Sequence, residues 1–478
     1  MRKSHLPILL CVLAFSFAST MANAEERAGS RPNIIFIMAD DLGYGELGCF
    51  GQTKIKTPRL DRMAVQGMRC TQVYSGSTVC APTRCCLMTG LHTGHARVRG
   101  NAGINGRVPL VPEDVTVAEV LRTAGYRTGI VGKWGLGEPG TTGIPNDQGF
   151  DFWFGYLNQA NAHFYYPPFL WKNREKMDLP QNVDGRKEVY SHDMMTDEAL
   201  AFVRQNQEDP FFLYVAYTIP HAEIVVPEDS LKEYRGKFPE TPYPGAHYGA
   251  QVEPNAAVAG MITRMDCDIG RLFELLEELQ IDEKTIVFFT SDNGPVSVGG
   301  RDHKFFDAAG GLRGSKGSLF EGGIRVPTIV RWPGHIQAGT VSDAVWAHWD
   351  VLPTCAEIAG VEPPKNIDGV SILPTLVGKD QPQLDDRFLY WEYGRNKKFT
   401  QAVRKGDWKA LRIGQNGPIS LYNLKTDVAE TTNVAGQHPS VVAQIEEYLT
   451  TARTESKDFP AEVSPKPKRK GRSGDNRK

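Results

Sequence analysis

The sequence predicts an α/β protein: a large mixed, mainly parallel sheet sandwiched by helices, then a smaller C-terminal antiparallel sheet with one helix. Three observations predict it. Uninterrupted apolar runs of strand length recur up to about residue 360, helical periodicity fills the gaps between them, and closely spaced short strands take over after residue 370.

The first run, Asn33 to Ala39 (NIIFIMA), is followed by Arg127 to Trp134, Phe211 to Tyr217, Thr285 to Thr290 and Val326 to Trp332. Such runs suit parallel strands covered on both faces, because no position alternates to polar. Between them, Ala257, Met261, Met265, Ile269, Leu272, Leu276 and Leu279 recur in steps of three and four, placing one apolar stripe toward a sheet. Val117 to Ala124 and Met194 to Val203 are shorter helical stretches. Phe388 to Glu392, Thr400 to Arg404, Trp408 to Ile413 and Leu421 to Leu424 read as the small antiparallel sheet, and Val441 to Arg453 as its helix. The expected organisation is a leader over 1–24, a main domain over 25–369, a C-terminal subdomain over 370–460 and a basic tail over 461–478.

The leader combines Arg2 and Lys3, an apolar stretch from Ile8 to Phe17, and Ala22-Asn23-Ala24 before Glu25. Its apolar part is shorter than the roughly 20 residues a membrane span needs. The expectation is an exported protein, periplasmic or secreted, without stable membrane insertion. The composition is that of a globular chain: 478 residues, 41% hydrophobic, 23% charged, net charge −2. Near-neutrality argues against nucleic acid as a partner. The tail carries seven basic residues and one acid after residue 465, a composition that favours disorder. Of eight cysteines one lies in the leader. The remaining odd number leaves at least one outside intramolecular disulfides, and Cys80 is the expected one.

Four clusters carry chemistry. Asp40-Asp41 ends the first strand, where ligands gather in open α/β sheets; alone it reads more readily as a solvated turn or helix cap. Ser291-Asp292-Asn293-Gly294 follows the strand TIVFFT and offers a second pair of hard oxygen ligands, suited to calcium or magnesium rather than zinc. The third is Cys80-Ala81-Pro82-Thr83-Arg84-Cys85-Cys86-Leu87-Met88-Thr89-Gly90. The fourth is cationic: Lys133, His221 in Thr218-Ile219-Pro220-His221, and Lys316 in a Gly-rich loop.

The third cluster resembles the signature of the sulfatase family, C-x-P-(S/T)-R followed by Thr-Gly. Glu321-Gly322-Gly323-Ile324-Arg325-Val326-Pro327, Thr57-Pro58-Arg59-Leu60-Asp61 and Leu421-Tyr422-Asn423-Leu424 match it too, so the likeness runs from Arg31 to about Asn433. It is nearest to the arylsulfatase A-like branch, and it implies an alkaline phosphatase-like fold. It also implies hydrolysis of sulfate monoesters, of a sulfated carbohydrate or of aryl sulfates. The family's nucleophile is a formylglycine made from the cysteine by a formylglycine-generating enzyme. Carried over by position, Asp40, Asp41, Asp292, Asn293 and residue 80 hold one calcium ion; Lys133, Lys316 and His221 hold sulfate; Arg84 orients the aldehyde hydrate; and Asp292 takes the attacking hydroxyl's proton.

One position departs from the family. The usual word Gly-Lys-Trp-His-Leu-Gly reads Gly132-Lys133-Trp134-Gly135-Leu136-Gly137 here, so the His thought to break down the sulfated hydrate is absent. The enzyme is crippled, or another residue fills the role, or the step needs no dedicated base. The expectation is replacement by His163 or Gln159. Two rival functions stay open: a phosphomonoester, phosphodiester or phosphonate hydrolase of the same superfamily, and a non-catalytic binder of sulfated glycans. The aromatic stretch Phe164 to Trp171 suits either stacking on sugar rings or core packing.

Overall fold

The computed structural model describes residues 31–395 and 398–461, and the predicted leader and nearly all of the basic tail lie outside them. Among the described residues, no helix is long and apolar enough to cross a membrane. The strands are β1 (Asn33–Ala39), β2 (Met68–Cys70), β3 (Val73–Tyr74), β4 (Arg127–Lys133), β5 (Phe152–Tyr156), β6 (Phe169–Lys172), β7 (Glu175–Asp178), β8 (Phe211–Ala216), β9 (Thr285–Ser291), β10 (Thr328–Arg331), β11 (Thr340–Ser342) and β12 (Trp346–Ala347). The C-terminal strands are β13 (Phe388–Arg395), β14 (Lys398–Lys405), β15 (Trp408–Ile413) and β16 (Ile419–Asn423).

Ten strands form one sheet in the order β11-β2-β10-β9-β1-β8-β4-β5-β6-β7. The centre, from β9 to β5, is parallel, and its strands are buried almost throughout, as continuous apolar runs require. Alternate residues of β1 feed two cores. Ile34, Phe36 and Met38 pack with the helices Cys80–Thr89 and Val351–Ala359, whereas Ile35, Ile37 and Ala39 face the helix Pro254–Glu278. That long helix holds Met261, Met265, Ile269, Leu272 and Leu276 against the sheet, as its period predicts. The helix Val117–Thr123 starts in a capping box between Thr116 and Glu119.

Two expectations are corrected. The run Val326 to Trp332 reads as a parallel strand, but β10 is antiparallel to both β9 and β2. An apolar run reports burial on both faces and says nothing of direction. Cysteine parity leaves no pairing to find: the seven cysteines among the described residues are all free thiols, five of them buried as small apolar side chains.

The antiparallel sheet β13-β14-β15-β16 stands as expected, with the helix Pro439–Leu449 beside it. It is tied to the main sheet through buried groups. Trp391 donates to Ser75 O at 2.9 Å, and Lys409 Nζ lies 2.8 Å from Glu321 Oε1 and 3.1 Å from Glu430 Oε1.

Candidate active site

Strand register builds the site. Ala39 of β1 sits opposite Ser291 of β9, so the residues that follow, Asp40 and Asp292, emerge side by side at the carboxyl edge of the sheet. The Asp41 N–H donates to Asp292 Oδ1 at 3.0 Å, and Leu42 N–H to Ser291 Oγ at 3.0 Å. Lys133 ends β4 on the same edge, and His221 follows β8, next to β1 on its other side. Cys80 opens the helix Cys80–Thr89, whose dipole favours an anion in front of it. Arg84 lies one turn further on, on the same side as Cys80.

The side chains converge. Cys80 Sγ lies 3.4 Å from Asp40 Oδ1 and 3.2 Å from Lys316 Nζ. Lys316 Nζ lies 2.5 Å from Asp41 Oδ1, and Lys133 Nζ 2.6 Å from Asp40 Oδ2. Arg84 is fully buried; it donates to Asp292 Oδ2 at 3.1 Å, to the Lys133 carbonyl at 2.8 Å and to Tyr214 Oη at 3.3 Å. Gly294 allows the helix Glu321–Ile324, which follows the loop carrying Lys316, to approach, since a Cβ there would lie 1.8 Å from Gly322 O.

These charges set one another's protonation. Burial opposes the charge of Asp40, but Lys133, His221, Arg84 and Lys316 outweigh it and hold the carboxyl well below its usual range. Burial also works against Lys316, yet Asp41 and its neighbours hold it well above the usual lysine value. Burial, then Asp40, pushes Asp292 up to about 7. Burial pushes the Cys80 thiol up to about 12, with Asp40 adding to it.

The donor set fits a hard divalent cation. Three cations, Lys133, Lys316 and Arg84, already face three carboxylates, Asp40, Asp41 and Asp292, so the pocket has no surplus positive charge for an anion. Asp41 Oδ2 and Asn293 Oδ1 are buried and have no hydrogen-bond partner. Ligand atoms of Asp40, Asp41, Cys80 and His221 lie within 4.8 Å of one another. Asp292 stands just outside that group, its two oxygens engaged by Arg84 and the Asp41 N–H.

The model of the Sulfatase family matches residues 32–361, and the model described as N-sulphoglucosamine sulphohydrolase, C-terminal, matches residues 303–455. The chain belongs to the sulfatase family. It is 30% identical to an N-acetylgalactosamine-6-O-sulfatase of Bacteroides thetaiotaomicron, across 89% of this chain and 93% of that protein. It is 31% identical to arylsulfatase A of Homo sapiens, across 87% of this chain and 86% of that one. Among solved structures it superposes on Ps i-CgsB in complex with k-i-k-neocarrahexaose with a TM-score of 0.75 and 28% identity, covering 90% of this chain and 95% of that chain. The two-part layout is thus the alkaline phosphatase-like fold of the sulfatases, which are sulfuric ester hydrolases.

Within the family pattern, Gly135 is the irregular position. It has φ +80°, and a Cβ there would lie 2.2 Å from Gln159 Nε2. The Gln159 amide occupies the volume a side chain at 135 would need, and both its polar atoms are buried without a partner. His163 comes to the edge of the site. Its ring stacks on His221 with centroids 4.0 Å apart, and the Tyr248 hydroxyl lies 3.3 Å from its Nδ1. His221 Nδ1 lies 2.5 Å from the Ala222 carbonyl, an acceptor only, so this nitrogen carries the proton and bare Nε2 faces Asp41 Oδ2 at 3.5 Å.

Sequence reasoning missed several supporting groups. Arg301 is buried and donates to both oxygens of Glu46 at 2.6 Å and to the Asp41 carbonyl at 3.0 Å, clamping the turn that carries Asp41. Asn101 Oδ1 accepts the Ala81 N–H at 3.0 Å beside Cys80. Tyr214 and Tyr248 complete the surroundings of Arg84 and His163. None of these residues stands in a recognisable word; only their contacts reveal them.

Proposed function

We propose that this sulfatase is an exported enzyme that hydrolyses sulfate monoesters of a carbohydrate, using a formylglycine formed from Cys80 and one calcium ion. The observation that carries the reading is the place of Cys80 Sγ: at a helix N-terminus, between Asp40 Oδ1 at 3.4 Å and Lys316 Nζ at 3.2 Å. A thiol pushed up to about 12 is protonated at neutral pH and a poor nucleophile, which supports conversion of the side chain over thiolate catalysis. The name of one relative, an N-acetylgalactosamine-6-O-sulfatase, and the k-i-k-neocarrahexaose in complex with another support a carbohydrate substrate.

Asp40, Asp41, Asp292, Asn293 and residue 80 would hold the calcium ion, which would supply positive charge for sulfate oxygens. The aldehyde hydrate would supply one hydroxyl to attack sulfur as the sulfur–oxygen bond to the alcohol breaks, and a second whose deprotonation would expel sulfate by carbon–oxygen cleavage and restore the aldehyde. Lys133 and Lys316 donate to the sulfate oxygens as charge grows in the transition state. Arg84, fixed by Asp292, Tyr214 and a backbone carbonyl, orients the hydroxyls at 80. Asp292 takes the attacking hydroxyl's proton. Lys316 keeps its proton under the influence of Asp41 and offers it to the leaving oxygen. His221, with Nδ1 committed to Ala222 O, presents Nε2 as a proton acceptor.

The test is mass spectrometry of the peptide spanning Cys80 after production with a formylglycine-generating enzyme, joined to turnover of an aryl sulfate and an aryl phosphate. The expected result is an aldehyde at 80 and sulfate release that Cys80→Ala or a chelator abolishes and calcium restores. Full turnover with an unconverted cysteine, or preference for the phosphate, overturns the proposal. A converted protein that binds sulfated glycans without turnover makes it a binder.

A further inference from the structure

We propose that a cleft beside the catalytic pocket is a second sugar subsite, which takes the neighbouring residue of a sulfated oligosaccharide. This rests on the sulfate-ester reading above and narrows its substrate from a single sugar to a chain. The cleft has a volume of about 310 Å³ and is lined by Asn161, Phe164, Tyr166, Phe169, Lys187 and Glu223 among others.

Its position follows from the two segments that form the wall of the site. His163 stacks on His221, and the next residue, Phe164, lines the cleft. On the other side, Glu223 stands two residues past His221, and its N–H donates to the His163 carbonyl at 2.7 Å. The cleft therefore adjoins the paired segments that carry His163 and His221.

Its chemistry is that of a sugar site with an anionic occupant. Phe164, Tyr166 and Phe169 are half-buried and present apolar ring surface for the C–H face of a pyranose. The Glu223 carboxylate is mostly buried, with no hydrogen-bond or ion-pair partner among the described residues, and is free to accept sugar hydroxyls. Lys187 has no carboxylate partner among the described residues; its Nζ lies 5.8 Å over the Tyr166 ring, placed for a sulfate or uronate. Arg186 donates to the carbonyls of Val183 at 3.2 Å and Pro180 at 2.5 Å and pairs with Glu188 at 3.8 Å, so Lys187 is the cation of the cleft with no acidic partner among the described residues. A purely apolar ligand would leave Glu223 and Lys187 unpaired, which burial in a complex disfavours.

The experiment compares Lys187→Ala and Tyr166→Ala with wild type on three substrates: an aryl sulfate, N-acetylgalactosamine 6-sulfate, and a hexasaccharide carrying that residue. Each variant is expected to lower kcat/KM on the hexasaccharide about tenfold, through KM, with the other two substrates unchanged within about twofold. Equal losses on all three substrates, or an unaffected hexasaccharide, overturns the subsite. If wild type fails on the aryl sulfate, the catalytic reading falls separately. The subsite is then tested by calorimetric binding of the hexasaccharide to Cys80→Ala, with and without Lys187→Ala. About tenfold weaker binding supports it, and equal binding overturns it.

Discussion

The imidazole of His163 lies flat on that of His221, with the ring planes 20° from parallel. Burial pushes both down, His221 to about 4 and His163, with His221 adding to it, to about 2. Two neutral rings can stack where two cations would repel. His163 thus supports the ring that faces Asp41. His163→Ala is expected to lower kcat on an aryl sulfate by about 10- to 100-fold, the scale of a small misplacement in a site. His163→Phe, which keeps a flat ring, recovers part of that loss if the role is support rather than proton transfer. Steady-state kinetics of the three proteins decides, and wild-type kcat in His163→Ala removes the residue from the site.

Gly135 and Gln159 act as a pair. Gly135→His places a Cβ against the Gln159 amide at a positive φ. The single substitution is expected to cost about 2 kcal/mol or more, from overpacking and left-handed backbone strain. Adding Gln159→Ala removes the clash but not the strain. A double-mutant cycle by denaturant unfolding should show a coupling of about 1 kcal/mol or more, and strict additivity counts against shared space.

Lys409 is a buried tie from the small sheet to Glu321 of the main domain. It is fully enclosed between Glu321 and Glu430. Lys409→Met leaves both carboxylates without that charge and is expected to lower stability by about 3–5 kcal/mol. The urea midpoint reads this directly. Specific activity of the folded fraction should stay near wild type, because the tie lies away from Cys80.

His348 gives the stability a pH dependence of known sign. Burial, then Arg84, pushes it from 6.5 down to about 3. Between those values the unfolded chain binds a proton that the folded one refuses, so its contribution is complete above pH 6.5 and shrinks as pH falls toward 3. From pH 7 to pH 5 the loss amounts to about 2 kcal/mol. His348→Gln should flatten the pH dependence of unfolding free energy by that amount relative to wild type, and an unchanged slope rejects the assignment.

Much of the fold was legible because burial is a local demand. A strand covered on both faces must be apolar throughout, so NIIFIMA and TIVFFT announced β1 and β9, and the seven-fold recurrence of apolar residues announced the helix Pro254–Glu278. The short strands β2, β6, β7 and β11 toward the two ends of the sheet were not legible, since three or four residues carry no distinct period. The antiparallel course of β10 was hidden for the reason that direction leaves no mark on composition.

The sequence by itself determined the chemistry on offer: a Cys-x-Pro-Thr-Arg word, two Asp-containing turns after strands, and lysines at loop ends. Only the tertiary structure decided which of these meet, and with what. Asp41 and Asp292 stand 251 residues apart and touch because Ala39 pairs with Ser291. Gln159 fills the gap at Gly135, and His163 finds His221, through folding of a loop with no motif. The physical reason is range: residue type fixes what a group can donate, accept or bury, whereas distance between groups far apart in the chain is set by strand register and packing of the whole sheet.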